Sequence, residues 1–108
     1  VVLEFWAMWC GNCRALEPEL AKVGRTFGRQ VKFLGVAVSA NQTPEQVTRY
    51  LRQHPMPVEM LYDRDGTAVE AYDVPATSFI VVVDRAGKVV YTGSGRSQDL
   101  TAAIRKAL

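Results

Sequence analysis

The sequence lacks the residues that build a metal centre or a disulfide scaffold. Of its 108 residues, only two are cysteine and one is histidine. Structural zinc takes four ligands, so two thiols and the imidazole of His54, in a separate segment, leave such a site incomplete within one chain. A disulfide scaffold spreads its cysteines to close long loops, whereas both cysteines here fall within one tetrad. We therefore predict neither a bound metal nor a structural disulfide framework.

The chain also lacks an excess of charge of one sign and any long apolar run. Thirteen basic and eleven acidic residues leave a net charge of +2, and the basic residues form no stripe. Nucleic acid is therefore not an expected partner. No apolar run approaches the roughly 20 residues that span a membrane. We expect this domain itself to make no membrane contact.

Length and hydrophobic content are those of one globular domain. With 48% hydrophobic residues, the chain can bury a single core without extra covalent staples. We predict one domain over residues 1–108. The sequence opens at Val1 inside a strand-like apolar run. We therefore expect the natural protein to carry further N-terminal residues, including any export signal or anchor.

Hydrophobic patterning predicts strands and helices that alternate along the chain. Strands are predicted over 1–7, 31–38, 58–61, 79–83 and 89–92. Helices are predicted over 13–27, from a capping box at 43–46 to the prolines Pro55 and Pro57, over 67–72, and after a Ser97 cap. Early alternation implies parallel strands, and the late hairpin adds an antiparallel pair. The predicted fold is α/β, with a mixed central sheet and helices on both faces.

The two cysteines form the tetrad Cys10-Gly11-Asn12-Cys13 where the first strand gives way to the first helix. The free N–H groups and dipole of a helix N-terminus favour an anion. We therefore predict a lowered pKa for the Cys10 thiol, which makes it the nucleophile of disulfide exchange. One helical turn later, Cys13 is placed to resolve the mixed disulfide. Asn12 offers an additional N–H at this helix start.

The segment around the tetrad resembles the active-site segment of the thioredoxin fold. Residues 4–14 read Glu-Phe-Trp-Ala-Met-Trp-Cys-Gly-Asn-Cys-Arg, and Pro18 follows. The middle and end of the chain, 43–74 and 84–90, resemble the insertion and the final hairpin of TlpA-like thiol–disulfide oxidoreductases. The resemblance implies a thioredoxin-like three-layer fold with an inserted helix-strand unit. It also implies an oxidoreductase whose redox-active group is the Cys10–Cys13 disulfide, with no other cofactor.

The same resemblance implies partners and a location. The expected partners are disulfide-containing protein substrates and a redox partner protein. The expected location is the periplasm or cell envelope of a bacterium, with the cytoplasm as the alternative. Two other functions stay open: a peroxiredoxin-like peroxidase, although 5–9 supply neither the Pro nor the Thr that precede a peroxidatic cysteine, and a non-catalytic interaction module of the same fold.

Glu4 lies six residues before Cys10, at the position of a buried acid in thioredoxins. A carboxylate buried near Cys13 would accept its proton when the mixed disulfide resolves, and desolvation would raise its pKa toward the working range. The competing interpretation is a hydrated acid at a strand edge. We favour the proton acceptor because the flanking residues are apolar.

The resemblance also implies residues that bind the substrate. Trp9, Gly11, Asn12 and Gly95 match the rim, the tetrad interior and a late glycine of thioredoxins. The family's cis-proline is the exception. Counting without gaps places Ser78 at its position, preceded by Thr77, while Pro75 lies three residues earlier. We predict that Ser78 replaces the proline after a trans bond, with a cis Pro75 as the alternative.

Overall fold

The computed structural model describes residues 1–56 and 58–108, so Pro57, one of the two predicted ends of the second helix, lies outside the described residues. These residues form a five-stranded sheet in the order β3-β2-β1-β4-β5. The strands are β1 Val2–Trp6, β2 Phe33–Val38, β3 Glu59–Asp63, β4 Phe79–Val83 and β5 Val89–Ser94. β1, β2 and β3 are parallel, whereas β4 runs antiparallel to β1 and β5 antiparallel to β4. The mixed sheet is confirmed.

Four helices are described, and one begins later than predicted. They are α1 Gly11–Phe27, α2 Pro44–Gln53, α3 Thr67–Ala71 and α4 Leu100–Arg105. The N-cap of α4 is Asp99, whose carboxylate accepts the Ala102 N–H at 3.1 Å, so the predicted Ser97 cap is wrong. The reason is tertiary. The Gln98 amide donates to the carbonyls of Ser78 and Gly95, which holds the chain in a loop up to Asp99.

The sheet separates two apolar cores, as the alternation of side chains along a strand requires. On β4, Phe79 and Val81 pack in one core, and Ile80 and Val82 pack in the other. α2 and α3 cover the first core, while α1 and α4 cover the second. Three layers result, which confirms the predicted thioredoxin-like arrangement. Among the described helices, none is both long enough and apolar enough to cross a bilayer.

Strand register brings several chain segments together at one end of the sheet. Phe5 near the end of β1 pairs with Phe79 at the start of β4, and Phe79 pairs with Ser94 at the end of β5. Because β1 and β2 are parallel, the segments after both strands leave at this same end. The turn before α1, the loop before β4 and the loop after β5 therefore meet here.

Candidate active site

Cys10 is the N-cap residue of α1, with an extended backbone at φ −91° and ψ 107°. Its Cα lies 5.3 Å from that of Cys13, and the two sulfurs form a disulfide. The Cys13 N–H donates to Cys10 Sγ at 3.1 Å. The first turn of α1 carries no acidic residue that would compete for this end of the helix. The helix N-terminus is thus aimed at one sulfur, that of Cys10, a position that favours an anion.

Burial does not distinguish the two cysteines. Cys10 is 5% exposed and Cys13 is 4% exposed. The asymmetry lies in hydrogen bonding, because Cys10 is the sulfur that accepts the helix N–H. Gly11, which follows it, is exposed, and a side chain added there would meet no atom within 4 Å. Open space beside the tetrad leaves a substrate room to approach.

The turn before Cys10 is held by residues beyond β2. The buried Gln42 side chain accepts the Met8 N–H at 2.9 Å and donates to the Val38 carbonyl at 2.6 Å. Trp9 Nε1 donates to the Ala40 carbonyl at 3.0 Å, while 47% of Trp9 stays exposed. Trp9 therefore has an anchored edge and an available face. Sequence reasoning missed Gln42, since no local motif signals a glutamine that bonds a turn 34 residues away.

An apolar groove of about 250 Å³ opens beside Trp9. Its lining comprises Trp9, residues 38–40, Gly66, Val69 and residues 74–77. Three residues predicted to bind substrate, Trp9, Thr77 and the alternative Pro75, thus lie in its wall. An open groove of mostly apolar lining next to a dithiol suits an extended polypeptide segment.

Ser78 directly precedes β4, the position at which the resemblance placed it. Both the Val74–Pro75 and the Thr77–Ser78 peptide bonds are trans, so the predicted trans bond is confirmed and the alternative cis Pro75 is wrong. Ser78 is fully buried with φ +58°, in the left-handed region that a side chain disfavours. Its hydroxyl accepts the Gly95 N–H at 3.0 Å. The hydroxyl therefore pairs with a backbone N–H of the loop after β5. This bond from Gly95, itself at φ +95°, joins that loop to the loop before β4.

Glu4 is buried in a central strand, so the interpretation as a hydrated edge residue is wrong. It is 1% exposed and lies between Gly35 of β2 and Ile80 of β4. Within the described part of the chain, neither carboxyl oxygen has a hydrogen-bond partner. Burial raises the pKa of Glu4 to about 8, and the nearby Glu17 carboxylate adds to the rise. Glu4 is therefore mostly protonated at neutral pH and titrates close to it.

Asn12 and Arg96 form a contact that the sequence did not predict. Arg96 Nε donates to Asn12 Oδ1 at 2.8 Å, across 84 residues of chain. Both side chains are exposed. The contact joins the loop after β5 to the interior of the tetrad. No local pattern marks Arg96, because its place beside the dithiol depends on strand pairing.

Comparison with known proteins agrees with this geometry. A profile of the AhpC/TSA family matches residues 1–92, and the chain belongs to that family. The chain is similar to thioredoxin 1 of Synechococcus elongatus, with 31% identity over 88 residues that cover 79% of the chain and 78% of that protein. It is also similar to the thiol:disulfide interchange protein TxlA homolog of Synechocystis, with 35% identity over 68 residues that cover 63% of the chain and 37% of that protein.

A solved structure shows the same architecture. The exposed lipoprotein thioredoxin of Streptococcus pneumoniae superposes with a TM-score of 0.82 and 25% identity, covering 97% of the chain and 79% of that protein. The predicted resemblance to thioredoxin-fold thiol–disulfide oxidoreductases is confirmed. The chain spans between 37% and 58% of the length of three curated relatives that it matches.

Proposed function

We propose that this domain is a thiol–disulfide oxidoreductase that exchanges its dithiol with disulfides in proteins. One observation carries the proposal. Cys10 Sγ caps α1 and accepts the Cys13 N–H, with the partner sulfur one helical turn away. A sulfur held there is an activated nucleophile with its resolving thiol already in reach. The redox group is the Cys10–Cys13 pair, and no other cofactor is needed.

The reaction runs in two exchanges. In the reduced protein, the Cys10 thiolate attacks one sulfur of a substrate disulfide, so a mixed disulfide forms and the first substrate thiolate leaves. Cys13 then gives up its proton, attacks Cys10 Sγ and releases the second substrate thiolate as the Cys10–Cys13 disulfide forms. Two electrons pass from the dithiol to the substrate. A redox partner protein returns them by the reverse exchange.

Glu4 is proposed as the proton acceptor for Cys13. Proton transfer is most efficient when the pKa of the acceptor lies near the working pH. Buried Glu4, with its pKa raised to about 8, is close to that condition: at neutral pH the ionised minority of molecules accepts the proton, and this fraction grows as the pH rises. It also has no hydrogen-bond partner among the described residues that would hold it in one protonation state.

The partners are proposed to be polypeptides that lie along the Trp9 groove, with Gly11, Thr77 and Ser78 beside the reacting sulfurs. The location is proposed to be the bacterial cell envelope. Similarity to a lipoprotein thioredoxin described as exposed supports this location. The test of the whole proposal is an exchange assay.

The assay uses reduced protein and insulin, with thioredoxin as the reference enzyme. We expect wild-type protein to reduce insulin, Cys10→Ala to be inactive, and Cys13→Ala to accumulate as a mixed disulfide that a non-reducing gel displays. The mixed disulfide forms because the resolving thiol is missing. Hydrogen peroxide is offered in parallel. Consumption of peroxide by the Cys13→Ala variant, without any insulin reduction by wild type, would favour a peroxidase instead.

A further inference from the structure

Two arginines flank the dithiol. Arg14 follows Cys13 on α1, and its Nη1 donates to the Met8 carbonyl at 2.8 Å, two residues before Cys10. Arg96 donates from Nε to Asn12 Oδ1, inside the tetrad, at 2.8 Å. Both side chains are exposed. The open end of the active site therefore carries two guanidinium groups.

Neither guanidinium group is neutralised within the described part of the chain. The ion pairs among the described residues are Lys22–Glu19 and Lys32–Glu59, and neither involves an arginine. The acceptors of Arg14 and Arg96 are an uncharged carbonyl and an uncharged amide oxygen, so both positive charges remain available. Asp99, three residues after Arg96, is occupied as the cap of α4.

The bond to Asn12 also orients Arg96. Using Nε for Asn12 leaves both terminal amino groups of the guanidinium without an acceptor among the described residues. Those groups form the planar fork that binds a carboxylate through two parallel hydrogen bonds. Asn12 is thus a positioning residue that holds the fork beside the sulfurs.

The groove and Arg96 meet different residues of the active-site turn, since Trp9 lines the groove and Arg96 bonds Asn12. The groove is built from Trp9, the segment after β2 and the loop before β4. Arg96 follows β5, and the strand order β3-β2-β1-β4-β5 puts β5 on the other side of β1 from β2. Because Cys10 lies between Trp9 and Asn12 in the chain, a segment whose disulfide sits over Cys10 lies beside both the groove and Arg96.

We infer that the site selects protein disulfides flanked by an acidic side chain, which Arg96 binds with help from Arg14 while an apolar neighbour occupies the Trp9 groove. This inference rests on the proposed function and adds the substrate class. The attraction acts at an exposed surface, so it affects the rate of encounter and the choice of partner more than the chemical step.

The test compares two short peptides that differ in one residue. Each carries a cysteine in mixed disulfide with thionitrobenzoate, a leucine on one side, and either glutamate or lysine two residues away on the other. Reduced protein attacks the peptide disulfide and releases thionitrobenzoate, whose appearance gives a second-order rate constant. We expect wild-type protein to react about three- to tenfold faster with the glutamate peptide at low salt. The ratio should approach one in 1 M salt, where the screening length falls to about 3 Å.

Variants assign the preference to a residue. Arg96→Gln should bring the ratio close to one. Because the ratio compares two peptides on one protein, a general change in Cys10 reactivity cancels. Arg85→Gln is the matched control, since Arg85 is exposed in the turn that joins the far ends of β4 and β5. It should keep the wild-type ratio.

The possible failures are distinct. Reduction of both peptides at equal rates, or a preference that survives in Arg96→Gln, overturns the inference and leaves the oxidoreductase intact. Reaction with neither peptide, together with no reduction of hydroxyethyl disulfide, overturns the proposed function and the inference with it.

Discussion

Helices α1 and α2 both begin after an N-cap residue with an extended backbone, but the two caps are built differently. In α2, Thr43 Oγ1 accepts the Gln46 N–H at 3.2 Å, and Gln46 Oε1 accepts the Thr43 N–H at 2.9 Å. Glu45 adds an acid to the first turn. In α1, the cap is the sulfur of Cys10, and the first turn holds no acid.

The comparison shows that a helix N-terminus can serve either stability or chemistry. The start of α2 is satisfied by its own residues, so its free N–H groups and its dipole are used for stability. The start of α1 is held by distant residues, through the bonds Met8–Gln42 and Asn12–Arg96. Its N–H groups are left to a sulfur that can carry a charge. Glu4, the acid nearest to Cys10 in sequence, is buried in β1, the strand that precedes the tetrad.

The largest effect is expected from Glu4→Gln, which removes the acid behind α1. The raised pKa means that the folded state keeps a proton which the unfolded chain loses near 4.5, so wild-type stability is complete below about pH 4.5 and falls as pH rises to about 8. The variant should lack this fall, gaining roughly 3 to 5 kcal/mol relative to wild type across that range. Urea unfolding of the oxidised proteins at several pH values measures it.

One control variant and one activity measurement accompany this comparison. Glu45→Gln, which removes the exposed acid at the start of α2, should follow the wild-type pH profile. The rate of insulin reduction should fall about 100-fold in Glu4→Gln if Glu4 takes the Cys13 proton. Parallel stability curves for wild type and Glu4→Gln would contradict the burial argument.

A smaller effect is expected from Thr43→Ala, which opens the capping box of α2. Loss of the side-chain cap should lower the free energy of unfolding by about 1 kcal/mol without changing insulin reduction, because the bonds of the box join only Thr43 and Gln46. The matched control is Thr48→Ala in the same helix, where the hydroxyl bonds only the Pro44 carbonyl. Its stability should stay within about 0.5 kcal/mol of wild type. Equal losses of stability in both variants would show that the cap contributes no more than the other side-chain hydrogen bond of the helix.

The smallest effect is expected from Asn12→Asp, which gives the first turn of α1 the acid it lacks. A carboxylate there competes with the Cys10 thiolate for the helix N-terminus and disfavours it by like charge. Alkylation of the reduced protein by iodoacetamide at pH 7 should slow about two- to fivefold. Gln30→Glu makes the corresponding amide-to-acid change at an exposed position beyond the opposite end of α1 and should leave the rate unchanged. An undiminished rate in Asn12→Asp would count against electrostatic activation of Cys10.

Local pattern predicted the features that depend on neighbours in sequence. The hydrophobic patterning over 13–27 predicted α1, and the box at Thr43 began α2 as predicted. The succession of strands and helices along the chain followed from alternation. Boundaries were less accurate, since β2 begins at Phe33 rather than residue 31, and α4 begins after Asp99 rather than Ser97. Such ends depend on contacts with distant segments.

By itself, the sequence determined the dithiol at a helix start, because the tetrad, Trp9 and the helical period are local and no other cysteine competes for either thiol. Only the tertiary structure decided what surrounds it. Pairing of β1 with β4, and of β4 with β5, brings the loops that hold Ser78 and Arg96 to the end of the sheet where α1 begins, and it buries Glu4 within β1. Local patterns cannot show this, since burial and charge at the site come from residues up to 84 positions apart that the sheet brings together.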